Sequence, residues 1–140
     1  PVALAWLFTG MDPARVQAVA HRAPNGVEDD VSMLFDYGDG DGAGAVLGTS
    51  FRAKLRNAAY VIGEDAYIAI PDFWRASECA LFRLDERVDS FSDGRRGFGF
   101  NFEAESAGAD ILDGRRESDV MPWRTTLRLQ AHMSQIRDAF

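Results

Sequence analysis

The run from Asn57 to Trp74, Asn-Ala-Ala-Tyr-Val-Ile-Gly-Glu-Asp-Ala-Tyr-Ile-Ala-Ile-Pro-Asp-Phe-Trp, constrains the fold more than any other stretch of this chain. Val61 and Ile62, then Tyr67, Ile68 and Ile70, are β-branched or aromatic residues in short runs, and Gly63-Glu-Asp-Ala between them has the chemistry of a tight turn. A hairpin is expected here, and its second strand empties into a Pro-Asp-Phe-Trp loop.

The same pattern recurs on both sides. Val16, Ala18 and Ala20 alternate with Gln17, Val19 and His21, which predicts a strand over 15–22, followed by an Ala23-Pro-Asn-Gly26 turn. Over 28–37, Val31, Met33, Phe35 and Tyr37 alternate with Ser32, Leu34 and Asp36; the chain turns at Gly38-Asp-Gly-Asp-Gly42 and returns over 45–52. Residues 78–84 and 87–91 are two further strands, the second short and near an edge. Helices are expected at Pro1 to Gly10, with Gly10 as C-cap, and from Asn101 through Leu112, stopping at Gly114. Pro122 opens a last helix, on which Trp123, Leu127 and Ala131, with Leu129, Met133, Ile136 and Phe140, have amphipathic spacing.

These elements predict an α+β fold: an open, mainly antiparallel (mixed) β-sheet of six or seven strands with helices packed on one face. The other face is then either wet or an oligomer interface. A length of 140 residues suits one domain, 1–140, with a sizeable core. The 46% hydrophobic content argues against disorder, and no apolar run approaches the ~20 residues of a membrane span. A net charge of −7 argues against nucleic acid or an anionic membrane as partner, since both need clustered basic charge. Cys79 is the single cysteine and cannot form an internal disulfide; with no targeting segment ahead of it, the expected compartment is the reducing cytoplasm. The chain starts at Pro1 inside a helix without an initiator Met, which suggests a piece cut from a longer protein.

Several polar groups have a chemical reading beside a plainer one. Gly38-Asp-Gly-Asp-Gly-Ala-Gly44 is rich in glycine, but its aspartates repel phosphate and it joins two strands, so a hairpin turn is expected. Asp39-x-Asp41 lacks the carboxylate twelve positions after the first ligand that a calcium loop needs. Lys54, the only lysine, is expected at the solvated end of a strand. His132 lies far in sequence from any Cys or His, and no metal site is expected. Glu28, Asp29 and Asp30 form either an acid/base pair or a solvated strand entry. No Gly-x-Ser-x-Gly elbow supports Ser-His-Asp chemistry. The repeated Asp-Gly-Arg-Arg at Asp93 and Asp113 reads as two turn exits with exposed arginines.

Six patterns stand in one order along nearly the whole chain: Gly26-Val-Glu-Asp-Asp30, the Gly38–Gly42 turn, Asn57-Ala-Ala59 with Gly63, Phe73-Trp74, Gly99-Phe-Asn-Phe-Glu103 and Glu117-Ser-Asp-Val-Met-Pro122. In that order they resemble the C-terminal domain of the glucose-fructose oxidoreductase / inositol dehydrogenase family, most closely its dihydrodiol dehydrogenase branch. The resemblance implies the substrate-binding and dimerisation half of a dehydrogenase that uses NAD or NADP on a sugar, cyclic polyol or dihydrodiol. It also implies that the cofactor turn, the catalytic lysine and the second acid/base pair belong to an N-terminal Rossmann domain ahead of Pro1. No catalytic, cofactor-binding or metal residue is therefore assigned in this chain, and the fragment alone is expected to be inactive.

By the same resemblance Trp74 matches a tryptophan of the substrate pocket, and Phe98 or Phe100 lies near another aromatic of it. The plain alternatives are a packing lid for Trp74 and helix-docking core for the two phenylalanines. Arg75 either binds an anionic group or is solvated. His21 matches a subunit-interface position, or is an ordinary exposed strand residue. The competing functional reading is a stand-alone sheet-mediated dimerisation or ligand-binding module without catalysis.

Overall fold

The computed structural model describes residues 1–38 and 42–140. In chain order it contains α1 (Val2–Thr9), β1 (Arg15–Arg22), β2 (Glu28–Asp36), β3 (Gly44–Ser50), β4 (Ala58–Ile62), β5 (Tyr67–Pro71), a 3-10 turn (Phe73–Arg75), β6 (Glu78–Arg83), β7 (Glu86–Ser92), α2 (Phe100–Leu112) and α3 (Trp123–Asp138). The α+β class stands as expected, with seven strands among the described residues. They form two ladders, β1-β2-β3 and β4-β5-β6-β7, and every pairing is antiparallel. The chain divides into two units, 1–55 with 119–140 and 56–118.

In the first unit the period-2 pattern settles the register. Val16, Ala18 and Ala20 of β1 face the same side as Val31, Met33 and Phe35 of β2, paired as Val16↔Phe35, Ala18↔Met33 and Ala20↔Val31. The core on that side comprises Val2 of α1, Met33, Phe35 and Ile136 of α3, with Leu47, Leu129 and Phe140 packed against them. Phe35 is 1% exposed. Its complete burial is worth roughly 1.5–3 kcal/mol relative to exposure. Gly10 closes α1 in the left-handed region at φ 63°, its N–H bonded to the Trp6 carbonyl, as a C-capping glycine does.

Helix α3 buries only part of the stripe its large residues suggest, Leu129 and Ile136 but not Trp123, Leu127 or Met133. Thr125, Leu129, His132 and Ile136 turn inward, while Trp123 and Leu127 are exposed. His132 supplies the reason. Its Nε2 lies 2.9 Å from Asp12 Oδ1, and the same oxygen accepts Arg128 Nε at 3.1 Å. A carboxylate only accepts, so Nε2 carries the hydrogen and the helix is held in the rotation that aims His132 at Asp12. Nδ1 is then buried without a partner, beside the edge of Phe35.

The second unit is a meander of four strands. Gly63 N–H bonds the Ala66 carbonyl at 2.9 Å and closes the β4–β5 turn anticipated from the sequence. Tyr60, Tyr67 and Phe82 line one face, with Tyr67 stacked on Phe82 at 5.0 Å. β7 is an edge strand exposed along its length, and it joins β6 through Leu84 and Asp85, both at positive φ. Helix α2 begins at Phe100 with Gly99, not Asn101, at its N-cap, and none of its residues is buried.

Candidate functional site

The aromatic residues singled out in the sequence come together in the second unit. β5 ends at Pro71, and Asp72 takes a left-handed conformation at φ 46°, a region that Asp tolerates better than most residues. That reversal starts the 3-10 turn, closed by Arg75 N–H on the Asp72 carbonyl at 2.8 Å. The turn presents Trp74, whose ring stacks on Phe98 with centroids 6.1 Å apart and planes 22° off parallel. Phe98 in turn meets Phe100, at the start of α2, at 6.3 Å. Trp74, Phe98 and Phe100 are 53%, 54% and 64% exposed, so none of them is core. The helix-docking alternative for the phenylalanines does not describe them.

Arg75 is not simply solvated. Its guanidinium lies 4.9 Å from the centroids of both Trp74 and Phe98, and its Nη2 is 3.1 Å from Asp72 Oδ2. Two cation–π contacts at such a half-exposed site are worth about 0.5–1 kcal/mol each. Beside this stack is an open pocket of about 210 Å³ bordered by Asp72, Arg75, Glu78, Arg95, Arg96 and Phe98. Trp74 stands behind Arg75 and is not part of that lining.

Arg95 was expected as an exposed turn arginine and is instead a brace. Its Nη2 donates to the carbonyls of Arg75, at 2.8 Å, and of Ala76, while its Nε lies 3.4 Å from Asp93 Oδ2 without an aligned hydrogen bond. Gly99, ahead of α2, makes room for it: a Cβ there would come within 2.6 Å of Arg95 Nη1. The brace therefore fixes the turn that carries Trp74 and Arg75.

In the first unit, His21 Nδ1 lies 2.7 Å from Asp29 Oδ1 on the neighbouring strand, and Arg52 Nε is 4.0 Å from Asp29 Oδ2. Asp30 accepts from Ser50 Oγ at 2.8 Å and Glu28 pairs with Arg22 at 3.1 Å. The acidic cluster is thus a set of partnered side chains, each engaged by a basic or hydroxyl group, not an open acid/base pair. Lys54 lies four residues beyond the end of β3, outside a strand. Asp39 and Asp41, weighed for calcium, and the centre of the glycine-rich turn fall outside the described residues. Among the described residues no group of three His, Cys, Asp or Glu side chains is placed to hold a metal ion. No helix among them is long and apolar enough to cross a membrane.

An all-antiparallel set of strands has no strand-helix-strand crossover, the unit whose first turn grips a dinucleotide. Among the described residues there is therefore no dinucleotide-gripping unit of that kind. What they do offer is an exposed aromatic wall with arginines beside it.

The chain corresponds to the C-terminal part of dehydrogenases, as its resemblance to the glucose-fructose oxidoreductase / inositol dehydrogenase family implied. It is 26% identical to the trans-1,2-dihydrobenzene-1,2-diol dehydrogenase of Oryctolagus cuniculus over 97% of this chain and 43% of that protein. It is 28% identical to the enzyme of the same name from Xenopus tropicalis over 82% of this chain and 36% of that protein. Among solved structures it is similar in fold to UDP-N-acetylglucosamine 3-dehydrogenase GnnA from Acidithiobacillus ferrooxidans, with a TM-score of 0.80, 19% identity and coverage of 99% of this chain and 43% of that one. No protein-family model matches the chain. The chain spans about two-fifths of the length of these relatives.

Proposed function

We propose that this domain is the substrate-binding half of an NAD(P)-dependent dehydrogenase acting on a dihydrodiol, cyclic polyol or sugar. The observation that carries the reading is the stack of Trp74, Phe98 and Phe100 on the second unit of a chain whose sequence relatives are dihydrodiol dehydrogenases. Exposed aromatic faces suit a carbon ring, and hydride transfer is the chemistry that the nicotinamide supplies. This chain's residues bind and orient the ring and shield it from water. They move no proton; the cofactor and the acid/base groups reside in another domain of the same protein, and the working compartment is the cytoplasm. The test is an assay of NAD(P)H formation from trans-dihydrodiols and cyclic polyols. The complete gene product turns over and residues 1–140 alone do not; turnover by residues 1–140 contradicts the assignment.

A second reading, homodimer formation through a bare sheet face, is favoured by one specific observation. Val19, Leu34 and Val46 lie on the outward side of β1-β2-β3, with Leu34 paired opposite Val46, and all three are exposed. His21, on the same side, is the polar contact of that interface, its ring oriented by Asp29. Assembly and substrate binding are compatible, and assembly alone would make the domain a non-catalytic module.

A further inference from the structure

Resting on the proposed ring-binding role, we infer that the pocket beside the stack is an anion subsite, so that the ring substrate carries a carboxylate or phosphate group. Three guanidinium groups, Arg75, Arg95 and Arg96, border a single hollow in a chain of net charge −7. Two carboxylates also border it. Asp72 engages one nitrogen of Arg75, Arg95 lies 3.4 Å from Asp93, and Glu78 is the further carboxylate on that lining, so what the hollow offers an anion is the remaining donors of Arg75 together with Arg96.

The three arginines have different tasks. Arg95 spends its Nη2 on the carbonyls of Arg75 and Ala76, and so positions the turn without meeting a ligand. Arg75 lies against two rings, its Cζ 4.9 Å from each centroid, and Asp72 engages only one of its nitrogens; a guanidinium has five N–H donors in a fork that matches carboxylate and phosphate oxygens. Arg96 adds a second charge from the next loop. Phe98 borders the same hollow, so an anion on the arginines places an attached ring against the aromatic stack. The volume of about 210 Å³ suits one charged group and its ring, being below the roughly 300 Å³ of the smallest whole-ligand pockets.

Isothermal calorimetry on the complete gene product tests this with four probes: benzyl alcohol, benzoate, phenyl phosphate and inorganic phosphate. At low salt, benzoate or phenyl phosphate binds about tenfold tighter than benzyl alcohol, as one charge-assisted contact predicts, and salt erodes the difference. Whichever of the two binds tighter identifies the anion. Arg96→Gln, at an exposed loop position, reduces the preference severalfold; Arg75→Gln abolishes it. Equal affinity for all three rings, lost in Trp74→Ala, overturns the anion subsite and leaves the ring site standing. Inorganic phosphate binding as tightly as phenyl phosphate overturns the ring-and-anion arrangement. Failure of every ring to bind overturns the subsite together with the reading on which it rests.

Discussion

Gly99 is where one residue's geometry decides the site. Its φ of +86° is costly for any side chain, and a Cβ would press on Arg95 Nη1 at 2.6 Å. Gly99→Ala is therefore expected to lose about 1–2 kcal/mol in urea unfolding from the left-handed backbone alone. Arg95→Met removes the clashing atom, so a double-mutant cycle between the two positions should be strongly non-additive; simple additivity would mean that they are not coupled. Asp36 gives a pH-dependent case. The Gly38 N–H and then Arg15 hold its carboxyl below the ordinary value of 3.8. A depressed carboxylate stabilises the fold above its unfolded pKa, and that contribution disappears as pH falls through the folded value. The stability gap between the parent and Asp36→Asn should then be constant near neutrality and shrink as pH drops below about 4; a gap unchanged in acid would refute the assignment.

At this scale the sequence was readable where a residue's role is local. Gly10 as a C-cap and the Ala23–Gly26 turn needed only their neighbours. The roles of Arg95 and His132 were not readable, because each depends on partners brought from far along the chain: Arg75 and Ala76 for one, Asp12 for the other. An arginine after Asp-Gly looks the same whether it is solvated or braced.

Among the elements, the strands were legible almost to the residue because alternation marks which side faces in. The division into two ladders was not, since a hydrophobic pattern records the burial of a face and not the identity of the neighbouring strand. The face of α3 was legible only in part: Leu129, Ile136 and Phe140 pack in the core as their spacing implies, whereas Trp123 and Leu127 do not. Trp123 and Leu127 have the right spacing, yet the hydrogen bond from His132 to Asp12 and the tight packing of Ile136 set the rotation. Ile136→Ala should cost about 2–5 kcal/mol, while Leu127→Gln should stay within about 0.5 kcal/mol of the parent. Comparable losses in the two variants would mean that the helix buries the other stripe. The β6–β7 turn makes a separate prediction. Leu84 and Asp85 have φ of 48° and 65°, the conformation that Asn-Gly adopts without strain. Replacing the pair by Asn-Gly should stabilise the protein by about 1 kcal/mol in thermal unfolding, and a loss would show that the turn is held differently.

On the scale of the whole molecule, four of the five buried hydrophobics of the described residues, Val2, Met33, Phe35 and Ile136, lie in the first unit, and only Ile70 lies in the second. The second unit thus keeps much of its apolar surface for something else, which accords with a ring-binding surface built from Trp74, Phe98 and Phe100. The outward apolar face of β1-β2-β3 carries the dimer reading. Val46→Lys should convert a dimer into a monomer by light scattering while the circular dichroism spectrum is unchanged; a dimer that survives places the interface elsewhere.

The central claim is that this domain contributes the aromatic wall of a dehydrogenase's substrate site. Steady-state kinetics of the complete gene product on a trans-dihydrodiol, parent against Trp74→Ala, test it most directly. The account predicts NAD(P)-linked oxidation with KM raised tenfold or more in the variant, on the order of 1.5–3 kcal/mol of lost ring contact, and an unaltered affinity for the nicotinamide cofactor. An unchanged KM, or a complete gene product that oxidises no dihydrodiol, polyol or sugar, would contradict it.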